Sequence, residues 1–532
     1  MLSPPTHCSV LIVGAGPSGL MMAAQLLRYG LVPVIIDTKQ GPTSQSKALA
    51  VQARSLEIYR QMGVIDRVLS GGKQASGVSF NKDGQAIASL PMNAIEDAGT
   101  MFPYILLYQQ SKNERLLLDE LTTGCCPVYW QTSLQSLKQT ATGYEAQLQS
   151  GEATFAITCD YIVGADGAHS IVRKQLGIPF SGDTYAHKFY LADVKIDKVF
   201  NGDNVQLFMS KTDFAGFFPM PEEDCYRVVA SIPDELADHD TLELDAVLPH
   251  LRQLTGKAIE VQENHWFTQY KLHHRMADKF ADGRSFLIGD AAHIHSPVGG
   301  QGMNTGLQDA YNLAWKLAGV VNGQFTPAIL TTYAEERMPV AKMLLNTTDR
   351  IFNIITSRSI FGSMLKQYIM PAALKFMWKR EKVRTEFFKR VSQTGISYRD
   401  SKLSRNLGHQ GNIRAGDRLP YLEIFDEKKK EKTDLHAWCN KPGFTLITMG
   451  EIKENYLFSL AKWLTQQYNS GINFFHLPSS SSNQHIFDAF QVRPGHRKAI
   501  IVRPDMHIGY LNDMVDMEMM DAYLRDVVGF KG

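Results

Sequence analysis

A glycine-rich turn near the start of the chain has the residue types and spacing that bind a phosphate-bearing ligand. The segment GAGPSG follows the apolar run CSVLIV and precedes a helical pattern, and its predicted ligand contacts are Gly14, Gly16, Pro17, Ser18 and Gly19. Glycines spaced in this way allow a tight turn and the close approach of a pyrophosphate. Free amides at the helix N-terminus attract the anion. Asp37 lies 18 residues after Gly19, where an acid can accept hydrogen bonds from ribose hydroxyls, so the sequence predicts dinucleotide binding.

A second segment, from Ser285 to Leu317, also combines groups that can contact a ligand. Its sequence, SFLIGDAAHIHSPVGGQGMNTGLQDAYNLAWKL, contains a short apolar strand, an acid, several glycines and an amphipathic helix. A carboxylate is a strong hydrogen-bond acceptor, and glycines let the backbone approach a ligand closely. We interpret the segment as a strand that leads into a ligand-binding loop with a helix behind it. An ordinary strand–loop–helix corner is the alternative.

Length and composition limit the classes of protein to which the chain can belong. With 532 residues, of which 44% are hydrophobic, two or three domains are expected. Because 55 basic residues nearly cancel 54 acidic ones, nothing favours a nucleic-acid or membrane-surface partner. No apolar run reaches the roughly 18 residues of a membrane span, and no charged leader precedes the first strand. The six cysteines form no CxxC or metal-ligand spacing, so we expect reduced thiols, no metal and a cytoplasmic protein.

Alternating strand and helix patterns predict an α/β protein. Short runs such as GFFPM and YRVVASI are typical of antiparallel strands, whereas the first turn belongs to a Rossmann-type unit. The linker GHQGNIRAGDRLP precedes a small α/β region with strand-like FTLITM and KAIIVRP. The predicted segments are a first part of the nucleotide-binding domain over 1–180, an antiparallel sheet over 181–272, a second part with connecting helices over 273–400, and a C-terminal domain over 405–532.

Three motifs together resemble one known family. GAGPSG, GADG at Gly164–Gly167 and GDAAH at Gly289–His293 occur in the order and spacing of the FAD-dependent aromatic hydroxylases. These are single-component flavoprotein monooxygenases related to para-hydroxybenzoate hydroxylase. The tail segments AGDRLP, PGFTLI and IIVRPD are similar to the thioredoxin-like C-terminal domain of the phenol hydroxylase and polyketide hydroxylase branch. The resemblance implies a Rossmann-type FAD-binding domain with an inserted antiparallel-sheet substrate domain, and a thioredoxin-like C-terminal domain without CxxC.

The resemblance also implies which residues hold FAD. Asp290 matches the acid that bonds the ribityl chain, and the amides that begin the following helix match those at the flavin ring. Lys47 stands where the family usually has Arg, so a point charge replaces a bidentate fork. Besides those in the first turn, the implied contacts are Asp37, Lys47, Gln110, Asp166, Asp290, Pro297, Gly302, Met303 and Asn304.

The resemblance further implies sites for a nicotinamide and for a substrate. His169 and Arg173 match positions near the transient nicotinamide site, with a surface histidine as the alternative for His169. The candidate substrate contacts are Phe208, Phe217, Met220 and Tyr270, together with the neighbouring Phe214 and Phe218; ordinary sheet core is the alternative. The groups that could polarise a phenol are His265, Tyr270 and His273, and the sequence does not select among them.

The implied reaction is a hydroxylation. NADPH or NADH reduces the flavin, molecular oxygen adds to it, and the flavin hydroperoxide transfers one oxygen atom to an aromatic ring. The expected substrate is a phenolic or polyketide-like small molecule, and a homodimer is left open. Two alternatives remain, another FAD-dependent reductase or oxidase on the same scaffold and a non-catalytic flavin-binding scaffold. The WxWxIP element of a halogenase is absent from the sequence.

Overall fold

A computed structural model gives the fold of the chain. It describes residues 4–531 except 83, 92–97, 198, 201–202, 211–212, 240, 297–299, 357–368, 370–372, 374–375, 377, 410, 428 and 469–470, and the side chains of 186 and 351–356 are also not described. None of the helices in this described part has the length and apolar character needed to cross a bilayer.

The elements of the described chain are as follows. The strands are β1 (His7–Val13), β2 (Val34–Ile36), β3 (Ala50–Val51), β4 (Lys73–Ala75), β5 (Gly77–Lys82), β6 (Gln85–Pro91), β7 (Ile105–Leu107), β8 (Val128–Tyr129), β9 (Thr132–Gln139), β10 (Tyr144–Ser150), β11 (Ala153–Gly164), β12 (Phe180–Ile196), β13 (Val205–Met209), β14 (Phe214–Pro219), β15 (Cys225–Ser231), β16 (Val261–Ala277), β17 (Ala281–Asp282), β18 (Ser285–Leu287), β19 (His293–Ile294), β20 (Arg405–Asn406), β21 (Glu423–Asp426), β22 (Glu431–Asp434), β23 (Phe444–Gly450), β24 (Ile472–Leu477), β25 (Arg497–Val502) and β26 (Ile508–Asn512). The α-helices are α1 (Pro17–Arg28), α2 (Ala53–Met62), α3 (Ile65–Gly71), α4 (Gln110–Thr123), α5 (Ile171–Gln175), α6 (Leu244–Thr255), α7 (Gly302–Val321), α8 (Thr331–Thr356), α9 (Glu381–Val391), α10 (Leu435–Trp438), α11 (Glu454–Tyr468), α12 (Gln484–Ala489) and α13 (Met517–Ala522).

The first sheet confirms the predicted strand–turn–helix–strand unit at the start of the chain. Its order is β17-β18-β11-β1-β2-β8, and β1 runs parallel to both β2 and β11, as β18 does to β11. β9 and β10 extend β11 as an antiparallel hairpin. Leu11 and Ile12 of β1 are fully buried. Because parallel strands are covered on both faces, a continuous apolar run such as CSVLIV is what this position requires.

The second sheet is mainly antiparallel, with the order β19-β16-β12-β15-β14-β13-β5-β6. It includes β5 and β6, so it takes strands from the first predicted segment as well as from 181–272. Successive side chains along its strands face opposite sides. On one side Phe208 and Phe217 pack with Val247 and Leu251 of α6. On the other side Phe218 packs against the nucleotide-binding part of the chain, in a cluster with Leu49 and Leu107.

A third sheet, with the order β20-β26-β25-β23-β24, forms the C-terminal region. β23 is parallel to β24 and antiparallel to β25, which in turn is antiparallel to β26. The crossover from β23 to β24 contains α11, as a parallel connection requires. The predicted strands FTLITM and KAIIVRP are therefore confirmed as β23 and β25.

A buried cluster of charges joins the C-terminal region to the helices of the nucleotide-binding part. Glu336 of α8 accepts hydrogen bonds from Arg503 at 2.6 and 2.9 Å and from Lys316 of α7 at 2.7 Å. All three side chains have no solvent exposure. Burial alone would raise the pKa of Glu336, but Arg503 and Lys316 outweigh burial and hold this pKa well below its usual range. The carboxylate is therefore charged, and it holds the two parts of the chain together.

We expect Glu336→Gln to lower the free energy of unfolding by about 3 kcal/mol or more, because it leaves buried cations without their full counter-charge. The matched control is Glu335→Gln, whose partner Lys402 is 72% exposed and whose loss should cost about 1 kcal/mol or less. Urea denaturation of the two variants measures the difference. Equal losses would contradict a role for the buried cluster in joining the two parts.

Candidate active site

Four parallel strands end at one edge of the first sheet, and a predicted contact residue follows each of them. In the order β18-β11-β1-β2 these residues are Asp290, Asp166, Gly14 and Asp37. Ligands of open α/β sheets bind outside the carboxyl ends of the strands. The structure therefore brings together the three motifs that are far apart in the sequence.

Glycines let the three motifs touch. A Cβ on Gly14, whose φ is +105°, would lie 2.3 Å from the carbonyl oxygen of Ala165 in GADG. Ser18 of the first turn fits between Gly289 and Gly306, since a Cβ on either glycine would lie 2.4 or 2.3 Å from its Oγ. No side chain is tolerated at these contacts without a shift. In contrast, a Cβ on Gly16 would meet no atom within 4 Å, so this backbone faces open space.

The acid after β2 is held by backbone amides. Asp37 accepts hydrogen bonds from the amides of Ala15 at 2.6 Å and Lys39 at 2.8 Å. The Lys39 ammonium lies 3.8 Å from Asp37 and 3.4 Å from the buried Glu114. Sequence reasoning missed Lys39, although its position two residues after the ribose-binding acid was a usable signal.

The segment that carries Lys47 is fixed on two sides. Gln110, at the start of α4, accepts from the amide of Ala48 at 3.3 Å and donates to Glu114 at 3.0 Å. From the antiparallel sheet, Arg227 donates to the carbonyl oxygen of Ala48 at 3.2 Å. Lys47 itself is exposed. The sheet and the nucleotide-binding part therefore meet at this segment.

Arg227 is a second residue that sequence reasoning missed. Its side chain is buried and makes two bonds of 2.7 Å to the carboxylate of Asp193. An arginine inside the apolar run YRVVASI was the available signal, because a buried charge needs a partner.

The space bordered by the strand ends and the start of α7 is called the recess. α7 lies beside the strand ends, since Gly306 approaches Ser18 and Gly289, and its first backbone amides have no partner within the helix. Its N-cap residue, Gln301, makes no side-chain capping bond, and Gly302 and Met303 are partly exposed. Asn304 is buried, and its amide group donates to Ala50 and Gly300 and accepts from Gln52 and Ser55. The Asn304 side chain therefore fixes the start of α7 against residues 50–55, which follow Lys47. Pro297 lies outside the described residues.

Asp290 is exposed in a recess, whereas its neighbours Gly289 and Ala291 are buried. The surrounding protein removes water and raises the pKa of its carboxyl, and nearby His293 and Lys47 oppose this effect. An accessible carboxylate is a strong hydrogen-bond acceptor and is suited to a hydroxyl-bearing ligand.

The residues after β11 are used mainly within the chain. Asp166 accepts from the amides of Ile171 at 2.6 Å and Val172 at 3.1 Å, and it thereby caps α5. Arg173 is buried, donates to the carbonyl oxygens of Ala168 and Ala291 at 2.8 Å each, and lies over the ring of Phe180. His169 is exposed. The nicotinamide roles of His169 and Arg173 stay predictions.

The candidate substrate residues divide between the two faces of the second sheet. Phe208 and Phe217 lie in the core against α6, which agrees with the sheet-core alternative for these two residues and not with a substrate contact. The reason is the two-residue alternation of a strand, which the aromatic composition of the segment does not reveal. Tyr270 packs with Phe189 on the opposite face, where burial raises the pKa of its phenol. Met220 is buried just after β14.

His265 and His273, the other two candidates for polarising a phenol, have different surroundings. His265 is exposed and has Glu263 at 3.9 Å. His273 is hydrogen-bonded to Thr184 at 2.8 Å, and burial with nearby Arg275 lowers its pKa.

Comparison with known proteins agrees with this geometry. The family described as FAD binding domain matches residues 7–348. Pentachlorophenol 4-monooxygenase of Sphingobium chlorophenolicum is 34% identical over 425 residues, which are 78% of this chain and 76% of that protein. 6-Methylpretetramide 4-monooxygenase of Streptomyces rimosus is 32% identical over 404 residues, 75% of this chain and 71% of that protein.

Solved structures share the fold over nearly the whole chain. The anhydrotetracycline hydroxylase OxyS of Streptomyces rimosus superposes with a TM-score of 0.79 at 24% identity, covering 99% of this chain and 100% of that one. A ternary complex of aklavinone-11 hydroxylase with FAD and aklavinone gives 0.81 at 19% identity, with coverage of 99% and 100%.

The fold and the strand-end site thus define a flavoprotein. The chain belongs to the FAD-binding-domain family and is an FAD-dependent monooxygenase of the aromatic hydroxylase type, which uses a reduced nicotinamide and molecular oxygen. The family resemblance of the three motifs is confirmed.

Gly306→Ala should destabilise the protein by about 1–3 kcal/mol through overpacking, because its Cβ would lie 2.3 Å from Ser18 Oγ. Adding Ser18→Ala should restore part of the stability, since Ser18 Cβ lies at an ordinary 3.5 Å whereas the backbone Cα of Gly289 remains close at 3.1 Å. Gly289→Ala is the matched control; its φ of +57° is strained for alanine, so Ser18→Ala should not rescue it fully. Thermal unfolding and retained FAD are measured. Equal rescue of both variants would contradict this account.

Proposed function

We propose that the recess at the strand ends holds FAD and that the facing side of the antiparallel sheet holds an aromatic substrate. One observation carries the proposal, the convergence of four strand ends and the start of α7. Two features support the fit. The backbone at Gly16 is open to a pyrophosphate, and the Asp290 carboxylate is accessible to ribityl hydroxyls.

Each part of the recess has a proposed binding role. Asp37 accepts from the adenosine ribose, and Lys39 and Lys47 supply positive charge where phosphates and the flavin lie. The amides of Gly302 and Met303 approach the flavin ring, where the helix dipole favours negative charge. When bound, FAD supplies the oxygen-activating chemistry after its reduction by NADPH or NADH. The protein binds and orients both molecules and excludes water from them.

The proposed substrate is a phenol or a larger polycyclic phenolic compound. Relatives named for pentachlorophenol and 6-methylpretetramide support this range. The sheet face opposite α6 offers Phe218, Tyr270 and Met220 as apolar walls, with Arg227 among them. An arginine fixed by Asp193 can orient an ionised phenol without losing its own position.

For the nicotinamide, we propose that His169 and Asp166 contact it transiently. The exposure of His169 beside a strand end supports this role. Arg173 is instead proposed to position the GDAAH loop through the carbonyl oxygen of Ala291, because both ends of its guanidinium are bonded inside the chain.

The C-terminal segment over 405–532 is proposed to be a thioredoxin-like domain with a packing role. Its strand pairing, two parallel strands followed by an antiparallel pair on one side, supports this assignment. Its buried charges against α7 and α8 support attachment to the rest of the chain. The free thiols support a cytoplasmic location. A homodimer, which the sequence left open, would be measured by sedimentation velocity.

The catalytic proposal predicts that the purified protein is yellow, oxidises NADPH slowly alone, and oxidises it faster with a phenolic substrate. If the flavin is reduced only after the substrate has bound, less activated oxygen is lost as hydrogen peroxide. A gated site couples substrate binding to flavin reduction. Under labelled molecular oxygen, the product should gain one labelled atom ortho or para to a hydroxyl. Mass spectrometry of products from a panel of phenols and polyphenolic polyketides checks this. Peroxide alone from the whole panel would favour an oxidase.

The C-terminal domain should have no thiol–disulfide exchange activity. No cysteine follows Cys439 in the sequence, and burial raises the pKa of this thiol to about 12, so it is not a thiolate at neutral pH. The full-length protein should not reduce insulin above the rate of a Cys439→Ser control. Activity that disappears in the control would refute the prediction that this domain lacks thiol–disulfide exchange activity.

A further inference from the structure

The carboxylate of Asp309, on the second turn of α7, binds both ends of the loop that carries Asp290. The amide of Gly289 donates to Asp309 Oδ2 at 3.0 Å, and His293 Nε2 lies 2.7 Å from the same oxygen. Gly289 and His293 are the first and last residues of the GDAAH motif. Between these two anchors, Asp290 is the residue exposed to the recess.

Asp309 is itself held from the other side. Arg337 of α8 donates to Asp309 Oδ1 at 2.7 Å, to the hydroxyl of Tyr398 at 3.0 Å and to the carbonyl oxygen of Thr305 at 3.2 Å. Asp309 and Arg337 are completely buried. Burial alone would raise the pKa of Asp309, but Arg337 and His293 outweigh burial and lower this pKa to about 2. The carboxylate is therefore ionised at neutral pH.

We propose that Asp309 is a positioning residue for FAD that acts through Asp290. A single ionised carboxylate on α7 fixes both ends of the short loop, so the Asp290 side chain keeps one distance from the helix start at Gly302. The inference rests on the proposed contact of Asp290 with the ribityl chain. A three-residue span closed at both ends has little freedom, and preorganised contacts lose less entropy when a ligand binds.

The geometry also separates this role from simple packing. Only one carboxylate oxygen of Asp309, Oδ1, accepts from Arg337. The other oxygen, Oδ2, is used by Gly289 and His293 of the loop. A residue that only neutralised Arg337 would need no bond to the amide of Gly289.

A double-mutant cycle on FAD affinity tests the proposal. Flavin fluorescence quenching on titration of the apoprotein measures FAD affinity in the wild type, Asp290→Ala, Asp309→Asn and the double variant. Asp309→Asn should weaken FAD about tenfold in the wild-type background, the cost of a lost charged hydrogen bond. In the Asp290→Ala background it should weaken FAD less than about twofold, because its effect passes through the missing carboxylate.

The outcomes separate the two levels of inference. If Asp290→Ala leaves FAD affinity unchanged, the proposed contact of Asp290 is wrong. If Asp290→Ala weakens FAD but Asp309→Asn has the same effect in both backgrounds, the contact stands and the positioning role is overturned. Glu336→Gln is the matched control, a buried carboxylate of α8 paired with Arg503, which follows β25. It should lower the melting temperature without changing FAD affinity.

A milder variant keeps the test informative if Asp309→Asn does not fold. His293→Phe keeps an aromatic ring beside Phe280 and removes only one of the two loop anchors. We expect about a threefold loss of FAD affinity, because the variant removes one hydrogen bond, between His293 and Asp309, and leaves the Asp309 carboxylate in place. In the Asp290→Ala background we expect no loss of FAD affinity. Equal losses in both backgrounds would overturn the proposal.

Discussion

The close contact of Ser18 with Gly289 and Gly306 is the constraint on which the rest of the site depends. A strand-end site is formed by loops from distant parts of the sequence, and those loops can share one recess only if their backbones approach each other. Here a serine side chain occupies the space that two missing Cβ atoms leave. The contact sets the spacing between the first helix, the GDAAH loop and α7.

Two buried ion pairs fix the positions of the helices behind the site. Each buried carboxylate of α7 and α8 has an arginine as its partner, Arg337 for Asp309 and Arg503 for Glu336. The first pair holds the GDAAH loop and the second faces the C-terminal sheet. Because a buried ion pair tolerates little displacement, these two pairs give the long helices a fixed register toward both neighbours. The C-terminal region is thereby part of the same rigid framework as the recess.

The sequence predicted the strand-end motifs well, because each motif carries its own local requirement. A tight turn needs glycine, and a helix start near a phosphate needs free amides. What the sequence could not show was which face of a strand a residue occupies. Phe208 and Phe217 match a substrate wall in composition but lie in the core, and only pairing across the sheet decides this. Arg227 and Lys39 each had a local signal, but their partners Asp193 and Glu114 come from distant segments, which the sequence does not show.

Alternate residues along the strands of the second sheet face opposite sides, and the two sets should differ in how well they tolerate substitution. Along β14, Phe217 supports the core while its neighbour Phe218 faces the nucleotide-binding part. Every other position can therefore be altered for a new ligand while the intervening position keeps the sheet folded. A substitution changes the shape of the binding surface, whereas a one-residue insertion would exchange the two surfaces completely. Diversity among substrates should thus arise on this scaffold through replacement of alternate residues, with strand length held constant.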